Sequence, residues 1–240
     1  MPDLFVVATP IGNLEDMTCR AIRVLSEVSL IAAEDTRKTR ILLDKYSIKT
    51  PMSSYHKFNT RSKTKYFIEL IKGGKDVALV SDAGMPGISD PGYQLVREAV
   101  DQGIRVIPIP GASAVTAALA VSGLDTDKFL FMGFLPRKPG KQKKALKELS
   151  DLDGTIVIYE SPFRLLKTLK LVRDIIGERN VVVARELTKK FEEIVRGKIG
   201  EVTESFKDRA VKGEITLLIE GLPAGRKEKS PKQAAQSGEM

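Results

Sequence analysis

Val77-Ala78-Leu79-Val80-Ser81-Asp82-Ala83-Gly84-Met85-Pro86-Gly87 is the stretch that decides the fold. Four apolar residues bounded by turn formers are too short for a helix and read as a buried strand. The same order recurs where Leu4 to Ala8 leads into Thr9-Pro10-Ile11-Gly12-Asn13, and where Val106 to Pro108 leads into Pro110-Gly111-Ala112-Ser113-Ala114. It recurs again where Thr155 to Tyr159 leads into Glu160-Ser161-Pro162. Glycine lets a backbone turn through positive φ and approach a ligand; proline fixes the turn and removes an N–H. A parallel α/β sheet binds its ligand at the carboxyl ends of its strands, so these loops read as one ligand-binding rim.

The segments between the strands have helical spacing. Thr18 is placed to cap a helix carrying Ala21, Val24, Leu25 and Val28 on one side. Leu30 to Ala33 is a second buried strand, ending in Glu34-Asp35-Thr36-Arg37. A helix with Tyr66, Phe67, Leu70 and Ile71 stops at Gly73-Gly74, Tyr93 to Val100 is another, and Ile104 to Ile109 is a strand. The fold class predicted is α/β, with a mostly parallel sheet carrying helices on both faces of an N-terminal domain, residues 1–122. A second α/β domain, residues 127–223, begins with the strand Phe129 to Phe134 and the flexible basic segment Pro136 to Lys144. Its further strands are Thr155 to Tyr159, Val181 to Ala184, Phe191 to Gly197 and Glu214 to Ile219, with helices at Phe163 to Ile176 and Val202 to Val211. Not every pair of strands has a long helix between it, so this sheet is predicted to be mixed. Residues 224–240 are poor in apolar residues and are predicted to be a disordered tail.

Composition narrows the function. With 39 Lys and Arg against 31 Asp and Glu, the formal charge is +8, which suits a polyanionic partner, nucleic acid first and an anionic membrane second, or simple solubility. One cysteine, Cys19, forms no internal disulfide and suits a cytoplasmic setting. One cysteine and one histidine, His56, also argue against zinc, which takes about four ligands drawn mostly from those types. His56 lies in Ser53-Ser54-Tyr55-His56-Lys57, with no G-x-S-x-G for it to serve. Neither a basic leader followed by a long apolar stretch nor an apolar run of about 18 residues is present, so neither signal peptide nor membrane span is expected.

Several segments carry chemistry, each with a plainer alternative. Asp82 to Gly92 is too dense in glycine, proline and aspartate for an ordinary connector, and lacks the spacing of a phosphate-binding Gly-Lys-Ser/Thr loop. It reads as a backbone-lined pocket for a nucleoside cofactor with Asp82 as polar anchor, or as a rigid turn. Pro110 to Ala114 places small residues at a helix N-terminus, able to hold a carboxylate or to pack closely on a sheet. In Glu34-Asp35-Thr36-Arg37, one carboxylate points into the crevice as a base of raised pKa, or the pair caps a helix and meets Arg37 or Arg40. Arg185 to Lys190 and Arg137 to Lys147 offer phosphate contacts, or are merely solvated charge.

Longer strings add a resemblance. They are Val7-Ala8-Thr9-Pro10-Ile11-Gly12-Asn13-Leu14, Ala32-Ala33-Glu34-Asp35-Thr36-Arg37, Leu79-Val80-Ser81-Asp82-Ala83-Gly84 and Pro108-Ile109-Pro110-Gly111-Ala112-Ser113-Ala114, then Gly133-Phe134-Leu135-Pro136-Arg137, Tyr159-Glu160-Ser161-Pro162 and Ala184-Arg185-Glu186-Leu187-Thr188-Lys189. With them the chain resembles, from Leu4 to Leu222, the ribosomal RNA small subunit methyltransferase I family of 2′-O-ribose methylases, within the tetrapyrrole methylase superfamily. The resemblance implies two α/β domains with S-adenosylmethionine in the cleft between them, and a homodimer. The substrate it implies is a cytidine ribose in the decoding region of 16S rRNA, within the small ribosomal subunit. It places cofactor contacts at Pro10, Asp82, Ala83, Gly84, Ile88, Ser113, Ala114, Tyr159, Ala184 and Thr216. Met85 stands where that family usually has threonine, Phe163 where histidine is usual, and Lys57 where glutamate often follows the histidine.

The reaction so implied is in-line methyl transfer to a ribose 2′-hydroxyl, with no metal and no covalent intermediate. Glu34 or Asp35 is the candidate base, and Arg20, Arg37, Arg137 and Lys189 are candidate phosphate contacts. Two other readings share the fold: a methyltransferase acting on a tetrapyrrole or precorrin, and an RNA-binding assembly factor retaining a cofactor fold.

Overall fold

Strands β1 (Leu4–Val7), β2 (Leu30–Ala33), β3 (Met52–Ser54), β4 (Val77–Val80) and β5 (Val106–Ile109) form one sheet in the order β3-β2-β4-β1-β5. Every pairing in it is parallel. The computed structural model describes residues 2–222, and the tail expected over 224–240 lies outside them. Within the described residues there are two compact units. The first runs to Ala118 and includes Glu186–Glu192; the second comprises Leu119–Arg185 and the described residues from Glu193 onward.

Pleating sorts the strand side chains of the first unit onto two faces. Ile31, Ala33, Ala78 and Val80 point to one face, where they meet Val24 and Leu25 of α1 (Cys19–Glu27) and Leu42 and Leu43 of α2 (Thr36–Lys45). Ala32, Val77 and Leu79 point to the other, packed with Phe67 and Ile71 of α3 (Thr60–Lys72) and Leu95 and Ala99 of α4 (Gly92–Asp101). Helices therefore cover both faces, as the apolar runs required. Thr18 caps α1 by accepting the Ala21 N–H at 3.1 Å. Pro108 is tolerated because β5 is an edge strand, and α5 (Ala114–Ser122) follows it.

β3 was not foreseen, and α2 was foreseen only in the alternative that the Glu34-Asp35 pair caps a helix. α2 carries charge at most of its exposed positions, and its start is marked by Asp35, whose side chain accepts the Arg37 N–H. β3, Met-Ser-Ser, has almost no strand propensity and exists through its pairing with β2. Its extension is fixed where the Tyr55 N–H donates to the Ala33 carbonyl at 2.7 Å. The Tyr55 ring is buried edge-on against Phe67, centroids 5.9 Å apart.

The second unit contains β6 (Phe129–Phe134), β7 (Thr155–Glu160), β8 (Asn180–Arg185), β9 (Glu193–Lys198) and β10 (Ile215–Ile219), ordered β6-β7-β10-β8-β9. Only β6 and β7 are parallel, so the sheet is mixed as expected. Helices α6 (Pro139–Glu148), α7 (Leu165–Ile176) and α8 (Ile199–Ser205) pack Leu146, Leu169, Val172, Val202 and Phe206 onto Ile156, Ile158, Val183 and Leu217.

The basic segment expected to be a flexible loop is in fact α6. Pro139 opens the helix, where its missing N–H is harmless. Gln142, Leu146 and Leu149 line its buried side, a thin stripe that the surrounding lysines hide in the sequence. Likewise the last helix spans Ile199–Ser205 rather than 202–211, and β9 starts at Glu193 because Phe191 belongs to a turn of the first unit. Among the described residues no helix is long and apolar enough to cross a membrane.

Candidate active site

The rim of the first unit is closed by backbone contacts between the loops after β1 and β4. Thr9 and Gly84 form an isolated antiparallel bridge, each N–H donating to the other's carbonyl at 3.0 Å. The Thr9 hydroxyl also donates to the Ser81 carbonyl at 3.1 Å. Gly84 adopts φ +81°, a conformation a side chain would strain. Its N–H and carbonyl are thus committed to shaping the loop. Around it, Pro10 is buried, Ala83 exposed, Ile88 51% exposed, and Ser113 and Ala114 partly buried at the start of α5.

The ends of β2 and β4 are cross-tied. Asp82 N–H donates to Glu34 Oε2 at 3.1 Å, and Asp35 N–H donates to Asp82 Oδ1 at 3.0 Å. Lys38 Nζ closes the group on Asp82 Oδ2 at 2.7 Å. Burial pushes the Glu34 carboxyl above its ordinary range against the opposing Asp82 N–H; the negative charges of Asp82 and Asp90 add to the rise, and Lys38 opposes it. Asp35 is different. Hydrogen bonds from the Arg37 guanidinium and N–H hold its carboxyl far below the usual range. Asp35 is therefore the cap and ion-pair partner weighed in the sequence, whereas Glu34 has the environment of a proton acceptor.

Asp90 organises the long loop. Its carboxylate accepts the Gly87 N–H at 2.8 Å and the Gly92 N–H at 2.6 Å, fastening the turn to the start of α4. Burial raises its pKa against those two N–H groups. Sequence reasoning missed both Asp90 and Lys38. The signal for Asp90 was Asp-Pro-Gly opening a helix; nothing local marks Lys38, which is paired across 44 residues.

In the second unit three expected contact residues share one level of the sheet. Tyr159 pairs with Thr216 across β7 and β10, and Thr216 pairs with Ala184 across β10 and β8. Parity puts all three on the face opposite Ile158, Leu217 and Val183. Tyr159 is partly buried and meets the Phe131 ring at 4.8 Å and the Phe134 ring at 5.7 Å. The neighbouring Glu160 is a structural group: fully buried, it accepts the Ser161 N–H at 2.7 Å and the Thr168 hydroxyl at 2.6 Å, with Arg164 at 3.4 Å.

The four basic candidates are dispersed. Arg20 is exposed in the first turn of α1, and Arg37, 89% exposed at its side chain, is paired with Asp35. Lys189 is paired with Glu186 at 2.8 Å and lies along Gly12, where a Cβ would come within 2.4 Å of its Cγ. Arg137 is exposed just before α6, whose Lys138, Lys141, Lys143, Lys144 and Lys147 are exposed too.

Glu34, Asp82 and Asp90 lie within electrostatic reach of one another, with Asp35 beside them and Lys38 and Arg37 as the cations. Four carboxylates against two cations form an acidic spot in a basic chain, a donor set suited to a positively charged ligand.

A profile of the family described as Tetrapyrrole (Corrin/Porphyrin) Methylases matches residues 3–203. Ribosomal RNA small subunit methyltransferase I of Thermotoga maritima is 51% identical over 221 residues, 92% of this chain and 99% of that protein. The protein of that name from Bacillus subtilis is 49% identical over 218 residues, 91% of this chain and 75% of that one. Among solved structures, cobalt precorrin-4 methyltransferase superposes with a TM-score of 0.70 at 18% identity, covering 91% of this chain and 94% of that one. Uroporphyrin-III C-methyltransferase from Thermus thermophilus, complexed with S-adenosylhomocysteine, gives 0.64 at 18% identity, covering 90% and 96%. At that identity the structures establish the fold; the profile and the half-identical relatives establish descent. The chain belongs to the tetrapyrrole methylase family and, within it, to the ribosomal RNA small subunit methyltransferases I.

Proposed function

We propose that this chain methylates the ribose 2′-hydroxyl of a cytidine in the decoding region of small-subunit ribosomal RNA, using S-adenosylmethionine. Its substrate class follows from the relatives, whose likeness spans both units. The observation that carries the chemistry is Glu34, a partly buried carboxylate of raised pKa at the end of a parallel strand. S-adenosylmethionine supplies an electrophilic methyl group on a sulfonium cation, which the acidic donor set fits. Asp82, Ala83, Ile88, Ser113 and Ala114, with Pro10 and Gly84 shaping the loops, are the residues of the first unit to hold it. Tyr159, Ala184 and Thr216 are the further contacts that the family resemblance assigns.

Glu34, as the carboxylate, accepts the proton that the 2′-hydroxyl releases. The Asp82 N–H fixes the orientation of that carboxylate, so its free oxygen is presented in one direction. Holding the two reactants in line is the larger contribution, since orientation alone supplies about 7–11 kcal/mol in well-aligned reactions. Arg20, Arg37, Arg137 and Lys189 engage phosphates of 16S rRNA; each is a chain cation beside a rim loop or at the basic helix. A homodimer in the cytoplasm is the working state, supported by the edge strand β6, where Phe129, Leu130, Met132 and Phe134 are all exposed.

The test is transfer of labelled methyl from S-adenosylmethionine to unmethylated small ribosomal subunits, with naked rRNA and a tetrapyrrole as parallel acceptors. Alkali-resistant label at one ribose is the expected result. Label on the tetrapyrrole alone would replace this reading with a small-molecule methyltransferase.

A further inference from the structure

Two turns on the first unit are built alike. In Lys57-Phe58-Asn59, the Asn59 N–H donates to the His56 carbonyl at 2.9 Å, and the Asn59 side chain accepts the His56 N–H at 2.9 Å. In Lys190-Phe191-Glu192, the Glu192 N–H donates to the Lys189 carbonyl at 3.0 Å, and the Glu192 side chain accepts the Thr188 N–H at 2.6 Å. Each turn is braced by the residue after a phenylalanine, and each leaves that ring in solvent: Phe58 is 84% exposed and Phe191 66%. The preceding lysine lies over the ring in both, with Nζ 4.8 Å from the Phe58 centroid and 5.8 Å from that of Phe191.

The second turn also holds Glu186 at φ +52° and Thr188 at φ +67°, left-handed positions that non-glycine residues uncommonly adopt. Both turns lie at the carboxyl end of the parallel sheet. Phe58 follows the edge strand β3, and the turn of Phe191 packs on the loop after β1, where the Asn13 N–H donates to the Thr188 hydroxyl at 3.1 Å. β2 and β4, which carry Glu34 and Asp82, lie between them in strand order.

An exposed aromatic ring with an ammonium at its face matches unpaired nucleotides, which offer a flat base to stack and a phosphate to pair. A duplex hides its bases and matches only the ammonium. We propose that Phe58 and Phe191 are stacking platforms that grip unpaired nucleotides on either side of the reacting ribose. The proposal rests on the RNA reading above and specifies the conformation of the RNA that is bound.

The chain contains no tryptophan, so Phe58→Trp and Phe191→Trp each introduce a single indole, excited selectively at wavelengths beyond the absorption of the five tyrosines. Emission of both should be quenched by poly(A) and not by the poly(A)·poly(U) duplex. Phe58→Leu and Phe191→Leu, which keep apolar bulk and lose the ring, should each weaken poly(A) binding about tenfold. Because both positions are exposed, melting temperature and S-adenosylmethionine affinity should stay as in wild type. Unquenched emission together with leucine variants that bind poly(A) like wild type would overturn the proposal. If those variants then lost methylation of small subunits, the rings would be contacting ribosomal protein. Wild-type label on small-subunit ribose alongside such variants would leave the enzymatic reading intact; label on a tetrapyrrole alone would remove that reading itself.

Discussion

Glu34 and Asp82 are tied through the backbone of one and the side chain of the other: the Asp82 N–H donates to Glu34 Oε2 at 3.1 Å. The tie is returned one residue on, where the Asp35 N–H donates to the Asp82 carboxylate at 3.0 Å. Neighbouring parallel strands β2 and β4 thus deliver one uncommitted carboxylate oxygen to the rim, in a fixed direction and with a raised pKa.

Glu34→Gln keeps an oxygen for the Asp82 N–H but cannot take a proton. Its kcat should fall at least about a hundredfold, the usual worth of a positioned base. Asp35→Asn, which preserves a helix cap, should leave kcat near wild type. Because folding raises the Glu34 pKa, the protonated form favours the native state. The stability it contributes is complete below its unfolded pKa and is lost as pH rises through the folded value. The melting temperature of Glu34→Gln should therefore gain on wild type as pH rises across that window. A constant gap from pH 4 to 8 would contradict the assignment.

Lys38→Met removes the cation that lowers the Glu34 pKa. The rising limb of the kcat against pH profile should move to higher pH, with the plateau rate recovered above it. An unmoved limb would show that a different group titrates.

Glu160→Ala removes the carboxylate that the Arg164 guanidinium faces and to which the buried Thr168 hydroxyl donates. Losing one member of a buried charged network costs about 3–5 kcal/mol, measurable by urea denaturation. Thr168→Val removes a single hydrogen bond from the same carboxylate and should cost less, about 1–3 kcal/mol.

Gly12→Ala would place a Cβ 2.4 Å from Lys189 Cγ and 2.9 Å from Thr188 Oγ1. The turn of residues 186–192 must shift, at about 1–3 kcal/mol for an overpacked neighbour. Hydrogen exchange should quicken at Asn13, whose N–H is held by Thr188.

Removing charge from Arg137, Lys141 and Lys144 in turn should lower the slope of log affinity against log salt by about one for each phosphate no longer neutralised. Cofactor affinity should be unchanged, because Arg137 is exposed just before α6 and Lys141 and Lys144 are exposed on it. An unaltered slope would return α6 to simple solvated charge.

Much of the fold was legible because its signals are local. Val77 to Val80 and Leu30 to Ala33 are apolar at every position, which only strands buried on both faces require. α6 was not legible as a helix, since lysines outnumber its few buried residues and Pro139-Gly140 imitates a loop. β3 was not legible either: Met52-Ser53-Ser54 becomes a strand only through β2.

The sequence by itself determined the α/β alternation and the loops at strand ends, because periodicity and turn chemistry act within a few residues. It also marked Glu34 and Asp35 as a pair without separating them. Only the tertiary structure did that, by bringing Asp82 from 48 residues away to Glu34 while Arg37, two residues on, claimed Asp35. Burial and charge depend on distance through space, and the chain carries no local record of either.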